Sequence, residues 1–445
     1  MLALELDPAL DLVELKHSHP ALFPCLFESV ARAHGGARFD VLFAGSGEYL
    51  EEDCHGQVRA HGWAPVDAEA HDFMSQLKCW QQVLPVFESP QPLGLVVLLS
   101  YEFADRIETK LKLPRAPGRL PRALALRTPV IIVRDHQKRS VIAYGERPYQ
   151  HLFDQVLRVV RQASVTPMAG DEVPLPAFEL NVDVPEQFIR GVQRIKSHLS
   201  AGDIFQANLS RGWCAHALSN WPGYTLYRRL RRSNPAPFAA WLSCADWQLF
   251  SSSPERLLRV RGDLVETRPI AGTRARSVDE GDWLSLPRDP KERAEHVMLI
   301  DLERNDLGRV CLPGSVAVDE LLQVETYAHV HHIVSNVRGQ LRPECSSIDA
   351  LKAVFPGGTI TGCPKLRAMQ IIAEIEGIGR GPYTGSLGFV SGGRYLDFNI
   401  LIRSMWSQGN SLRFRAGAGI VADSDPEKEL LETQAKAEGM LKALQ

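Results

Sequence analysis

Apolar positions over 184–201 recur at spacings of three and four (Phe188, Val192, Ile195, Leu199), and this predicts a helix with one buried face. Further helices are predicted over 149–164, 290–304, 347–354, 363–376 and 426–444. Short β-like runs occupy 40–44, 93–101, 129–133 and 140–144, separated by loops that hold Gly35, Gly36, Pro114 and Pro117. More strands are predicted at 238–242, 248–252, 257–261, 385–390, 395–402 and 412–416. Several short strands in succession, with helices between them, predict an α+β fold of antiparallel sheets with helices packed outside. The stretch 166–176, with Pro167, Gly170, Pro174 and Pro176, has the composition of a connection. It divides the chain into a sheet-rich part, 1–165, and a second part, 180–445.

Composition narrows the class. The 445 residues are 44% hydrophobic and 23% charged, enough apolar material for a large core. A formal charge of −3 argues against a general nucleic-acid binder, whose affinity rests on neutralising phosphates. No apolar run approaches the roughly 20 residues of a membrane-spanning helix. The first ten residues carry Glu5 and Asp7 and lack a secretory pattern. The eight cysteines are scattered, with no C-x-x-C pair. A cytoplasmic location with reduced thiols is therefore expected.

Two nucleotide motifs are approximated and rejected. Gly417 to Ala422 fits G-x-G-x-x-A, but Asp423 to Pro426 interrupt the helix that should follow. Pro356 to Lys365 has Cys363-Pro364 where a phosphate loop needs Gly-Lys-Ser/Thr. Glycines and threonines just before a helix, with Pro364 in its first turn, still offer backbone N–H groups suited to a carboxylate, though an ordinary capped helix start reads the same. No nucleophile elbow occurs.

Candidate chemistry rests on charged residues. Glu292 and Glu295 share one predicted helix face, and Glu429 and Glu432 share another, with Lys436 four residues on. Such carboxylates are usually solvated; together they suit the sparse oxygen shell of Mg²⁺. Tyr383, Arg403 and Lys436 can hold carboxylates, and Arg403 is expected to end an alternating strand. Glu255 follows a strand, where apolar neighbours would fit it for general-acid work. His331 and His332 are expected on opposite faces of a strand.

These fragments, in this order, resemble the chorismate-utilising enzymes over about 183–440. The resemblance is carried by Gly202 to Gln206, Ser253 to Glu255, Pro269 to Thr273, Glu295-His296, Asp301 to Asp306, Gly362 to Lys365, Ile402-Arg403 and the segment from Gly417 to Lys436. It implies two packed antiparallel β-sheets flanked by helices, with chorismate and Mg²⁺ between them. Residue by residue, it implies Glu295 and Glu432 as Mg²⁺ ligands with Glu292 and Glu429 behind them. Arg403 and Tyr383 would clamp the enolpyruvyl carboxylate. Lys436, Thr273, Thr359 and the backbone near Gly272 and Gly417 would complete the substrate shell. Glu255 would be the general acid at the C4 hydroxyl, and His332 an active-site histidine.

Two positions narrow the branch. Water-using members carry lysine where this chain has Gln206, so ammonia is the expected nucleophile. Many aminodeoxychorismate synthases carry a lysine at the position of Ala271 and use it covalently. Alanine resembles anthranilate synthase, and also a lysine-less group of aminodeoxychorismate synthases that aminate C2 first. His19-Pro20, Phe23-Pro24 and Leu26 to Val30 resemble the start of the aminodeoxychorismate branch. The resemblance thus favours that reaction, in folate precursor synthesis, with anthranilate synthesis as the alternative and a non-catalytic binding subunit as a third reading. Ammonia is expected from a separate glutamine amidotransferase subunit. Leu26 to Ser29 also resembles an element that lines a tryptophan pocket, with Ser29 in it, or else is a packed helix start.

Overall fold

The computed structural model describes residues 1–31, 38–62, 71–87, 92–163, 173–275, 290–326 and 330–445, with backbone alone at 271–275, 290–292, 326 and 330–332. The expected α+β fold is present: two antiparallel sheets lie face to face and helices cover both outer faces. Among the described residues one sheet has 12 strands and the other 11.

Period-two alternation assigns the layers. In Phe39–Ala44, Leu42 and Ala44 point to the helices outside, while Val41 and Phe43 point between the sheets. Gly94–Leu99 is buried on both faces, with Val96 and Leu98 between the sheets and Leu95, Val97 and Leu99 under helices. That double burial is why its sequence is continuously apolar instead of alternating. The predicted helices form at Gln150–Gln162, Pro185–Ser200, Pro290–Gly308, Ser347–Val354, Lys365–Glu376 and Pro426–Ala443. Pro364 caps its helix one position before the first turn, with φ −63° and ψ 136°.

Two expectations are corrected and one strand is added. Cys25–Glu28 is no helix start; it is a strand between Phe39–Ala44 and Phe238–Ser243, because Cys25 and Leu26 alternate into two different apolar layers. The 12-residue strand Gln206–Ala217 was absent from the pattern reading, since its alternate Gln206, Asn208 and Ser210 mask the apolar face of Ala207 and Leu209. The strand before Arg403 ends at Asn399, and Ile400 to Arg403 carry the chain from the second sheet to Ser404–Gln408 in the first. Arg403 takes φ +51° at that crossing.

The stretch 164–172 lies outside the described residues. On either side of it the chain shares both sheets: Cys25–Glu28 pairs with Phe238–Ser243, and Gly94–Leu99 with Ser386–Ser391. No described helix is long and apolar enough to cross a membrane. All eight cysteines are free thiols.

Candidate active site

The floor of the site is a pair of strands, Gln206–Ala217 and Ser411–Ile420, running antiparallel with Asn208 opposite Gly419 and Ser210 opposite Gly417. Ala418 and Ile420 turn into an apolar cluster with Ala207, Leu209, Val192 and Ile195. Gly417 and Gly419 therefore present bare backbone on the other face. A methyl group at 419 would lie 2.5 Å from Gln206 Nε2 and 3.5 Å from Glu295 Oε1. One at 417 would lie 2.6 Å from Asn208 Oδ1 and 2.8 Å from the Tyr383 hydroxyl. Glycine is needed here because polar side chains from the neighbouring strand, a helix and a loop close over the backbone.

Two helices bring carboxylates to this floor. From Pro290–Gly308, Glu295 Oε1 accepts a 2.8 Å hydrogen bond from Gln206 Nε2. From Pro426–Ala443, Glu432 pairs with Lys436 at 2.5 Å, and Lys436 Nζ donates to the Gly417 carbonyl at 3.1 Å. The two acidic helices thus converge on positions two residues apart along one strand. Glu432 is 47% exposed, whereas Glu429 is buried. The carbonyl oxygens of the Gln206 and Asn208 side chains are buried with no partner among the described residues. An unsatisfied buried acceptor costs about 1–3 kcal/mol, which a bound ligand or water removes.

These donors fit a hard divalent cation. The described residues form no cage of three or more acidic, histidine or cysteine side chains. Mg²⁺ does not need one, because it is commonly held by one or two carboxylates together with substrate oxygens and water.

Glu255 stands where the chain crosses between sheets, after Trp247–Ser253, and is only 4% exposed. Its carbonyl accepts from Ile400 N–H at 3.0 Å, so the crossing that holds Glu255 is tied to the one that holds Arg403. Thr359 Oγ1 donates to Glu255 Oε1 at 2.7 Å. Burial pushes the Glu255 carboxyl up to about 7, and the acidic Glu303 adds to the effect. Tyr383 is buried, and burial pushes its phenol above the usual range. The Arg403 guanidinium makes no hydrogen bond or ion pair with a described residue; burial lowers its pKa, against the pull of Tyr383 and Glu432.

The loop before Lys365–Glu376 differs from expectation. The Gly358 N–H is spent on the protein's own Glu303 Oε1 at 3.3 Å, and Thr361 Oγ1 donates to the Gly357 carbonyl at 2.8 Å. The anion that this turn binds is internal. His296, from the Glu295-His296 pair, is buried with Nε2 2.7 Å from Ser335 Oγ and ties its helix to Val330–Gln340. Burial lowers it to about 4.

The side chains of Ala271, Thr273, Glu292, His331 and His332 lie outside the described residues, as does any closure around Gly272. The backbone pairs Thr273 with His332 across two strands. Ser29 lies away from this floor, its N–H bonded to Asp40 at 3.0 Å. Asn208, Glu303 and the buried Glu376, Arg380 and Arg415 were missed by pattern reading.

A profile of the chorismate binding enzyme family matches residues 35–442. The chain belongs to this family. It is 42% identical over 363 residues to the aminodeoxychorismate synthase component 1 of Bacillus subtilis, covering 79% of this chain and 77% of the relative. It is 40% identical over 404 residues to an anthranilate synthase component I-like protein of Synechocystis, covering 88% and 82%. The crystal structure of anthranilate synthase component I from Streptococcus pneumoniae superposes with a TM-score of 0.82 at 31% identity, over 91% of this chain and 92% of that one. The chain is thus a chorismate-utilising enzyme by family.

Proposed function

We propose that this chain is the chorismate-binding component of an aminodeoxychorismate synthase, aminating chorismate with ammonia supplied by a separate glutamine amidotransferase. The observation that supports amination is the neutral Gln206 amide against Glu295, alongside the buried, protonatable Glu255; the choice of this product over anthranilate rests on the resemblance of His19-Pro20, Phe23-Pro24 and Leu26 to Val30 to the aminodeoxychorismate branch. Ammonia attacks without prior deprotonation, whereas water needs a base, and an amide offers none.

Glu255 gives its proton to the C4 oxygen, the C4–O bond breaks and water leaves. The ammonia lone pair bonds to C2 as the ring double bonds shift, and the proton shed by the new ammonium group restores Glu255. A proton then passes to the C2 amine from Glu255, the C2–N bond breaks and ammonia leaves as a second ammonia bonds to C4 and the ring double bonds shift back; the proton shed by the new C4 ammonium group returns to Glu255. The sum is chorismate plus ammonia giving 4-amino-4-deoxychorismate and water. Arg403 and Tyr383 hold the enolpyruvyl carboxylate, and Lys436 and Thr359 keep Glu432 and Glu255 in place. Mg²⁺ held by Glu295 and Glu432 would neutralise the ring carboxylate. Ala271 leaves no lysine there for a covalent adduct.

The relatives' names support a second reading, anthranilate synthase component I, which makes the same C2 adduct and expels pyruvate. Incubating the chain with chorismate, Mg²⁺ and ammonium salt, then adding aminodeoxychorismate lyase, separates the two. Lyase-dependent 4-aminobenzoate, lost on chelation of Mg²⁺, is expected. Anthranilate as the main product would overturn the assignment.

A further inference from the structure

Glu303 is a buried carboxyl that the chemistry above does not use. It projects from the inner face of Pro290–Gly308 and is 3% exposed. Thr267 Oγ1 donates to its Oε2 at 3.0 Å and the Gly358 N–H to its Oε1 at 3.3 Å. The next residue, Thr359, donates its hydroxyl to Glu255. Two buried carboxyls therefore hold consecutive residues of one turn, one through backbone and one through side chain.

Among the described residues, neither carboxyl forms an ion pair with a cation. Lys365 acts on Glu303, but its Nζ is engaged by Asp306 at 2.5 Å and by the Val354 carbonyl at 3.0 Å. Lys436 acts on Glu255, but its ion pair is with Glu432. Among the described residues, the charged groups acting on this pair are Asp306 on the same helix as Glu303, Lys365 on Lys365–Glu376, and Lys436 on Pro426–Ala443. Burial raises both Glu255 and Glu303 to about 7, each further raised by an acidic neighbour. Asp306 and Lys365 also line a cavity of about 770 Å³ that reaches this network from outside.

We propose that Glu303 is a positioning residue for Glu255: its carboxyl fixes the turn that orients Glu255 and, when ionised, holds Glu255 in the protonated form that a general acid requires. This rests on the reading of Glu255 as that acid. A negative charge behind a buried carboxyl disfavours a second ionisation, so the general acid stays loaded at a pH where an isolated glutamate would be spent.

The test is the pH profile of kcat with ammonium salt as nitrogen source. Activity requires protonated Glu255, so it falls as pH rises through the Glu255 pKa. Glu303→Gln keeps an acceptor for Thr267 or Gly358 and removes the charge. The alkaline limb should move down by about one pH unit, with KM for chorismate within about twofold, and Glu303→Asp should restore the limb. A uniform loss at every pH, or an unmoved limb, would overturn the proposal. Should Glu303→Gln not fold, Thr267→Val strips one donor from Glu303 and should move the limb the same way by a smaller step; a stationary limb there is equally fatal. Glu255→Gln, run alongside, tests the underlying reading. If it keeps the wild-type profile, Glu255 is not the acid; if it is inactive while the Glu303→Gln limb stands still, only the role of Glu303 falls.

Discussion

A single methyl group tests the floor of the site. At 419 it would meet the end of the Gln206 side chain, which can swing away only by giving up its bond to Glu295. Gly419→Ala should therefore cut kcat/KM about tenfold or more while leaving the melting temperature within a few degrees; unchanged turnover would remove Gln206 from the reaction. Gly417→Ala is harsher, because a Cβ there lies 2.7 Å from the Leu209 carbonyl, and backbone cannot step aside. Gln206, Glu255 and Arg403 stand in segments whose order resembles a family pattern, and Tyr383 enters through what that resemblance implies. Asn208 lies outside those segments, and Glu303, though inside Asp301 to Asp306, carries no local mark that sets it apart. A lone glutamate in a helix reads as a solvated face, and only the packing of that helix shows it buried against a turn.

At the scale of elements, the site is held from behind by one ion cluster. The helix Lys365–Glu376 ends at Gly377, and Arg380 in the following turn pairs with Glu376 at 2.7 Å and donates to the carbonyls of Asn208 and Ile360 at 2.6 and 3.2 Å. Arg415 reaches Glu376 from Ser411–Ile420 at 3.2 Å. Burial alone would raise Glu376, but Arg380 and Arg415 hold it below the usual carboxylate range. Arg380→Met should cost about 3–5 kcal/mol, since it strands part of a buried charge; a loss under about 1 kcal/mol in urea unfolding would show the cluster to be dispensable. The sign of the pH effect follows. A depressed native pKa gives stability that is present above the unfolded value of 4.5 and lost as pH falls below it. The gap between wild type and variant should narrow in acid. Helices at 185–200 and 347–354 were readable from periodicity, while Arg403 was misplaced on a strand, because nothing local marks where a chain leaves one sheet for another.

Across the whole molecule, strands from both halves of the sequence interleave in both sheets. Cutting within 164–172 and expressing 173–445 alone would expose the edges Phe238–Ser243 and Ser386–Ser391, both largely buried here. That fragment should aggregate, and co-expression with 1–163 should rescue it; a soluble fragment with cooperative unfolding would refute the dependence. The amino-acid order was sufficient for the α+β class and the family, because these depend on local periodicity and on residue identity at short spacings. Which strands pair, that Glu295 lies beside Gly419 while Lys436, paired with Glu432, reaches Gly417, and that Glu303 and Glu255 hold one turn depend on contacts between residues tens to hundreds of positions apart. Burial and electrostatic coupling arise only once those contacts form, so no window of sequence contains them.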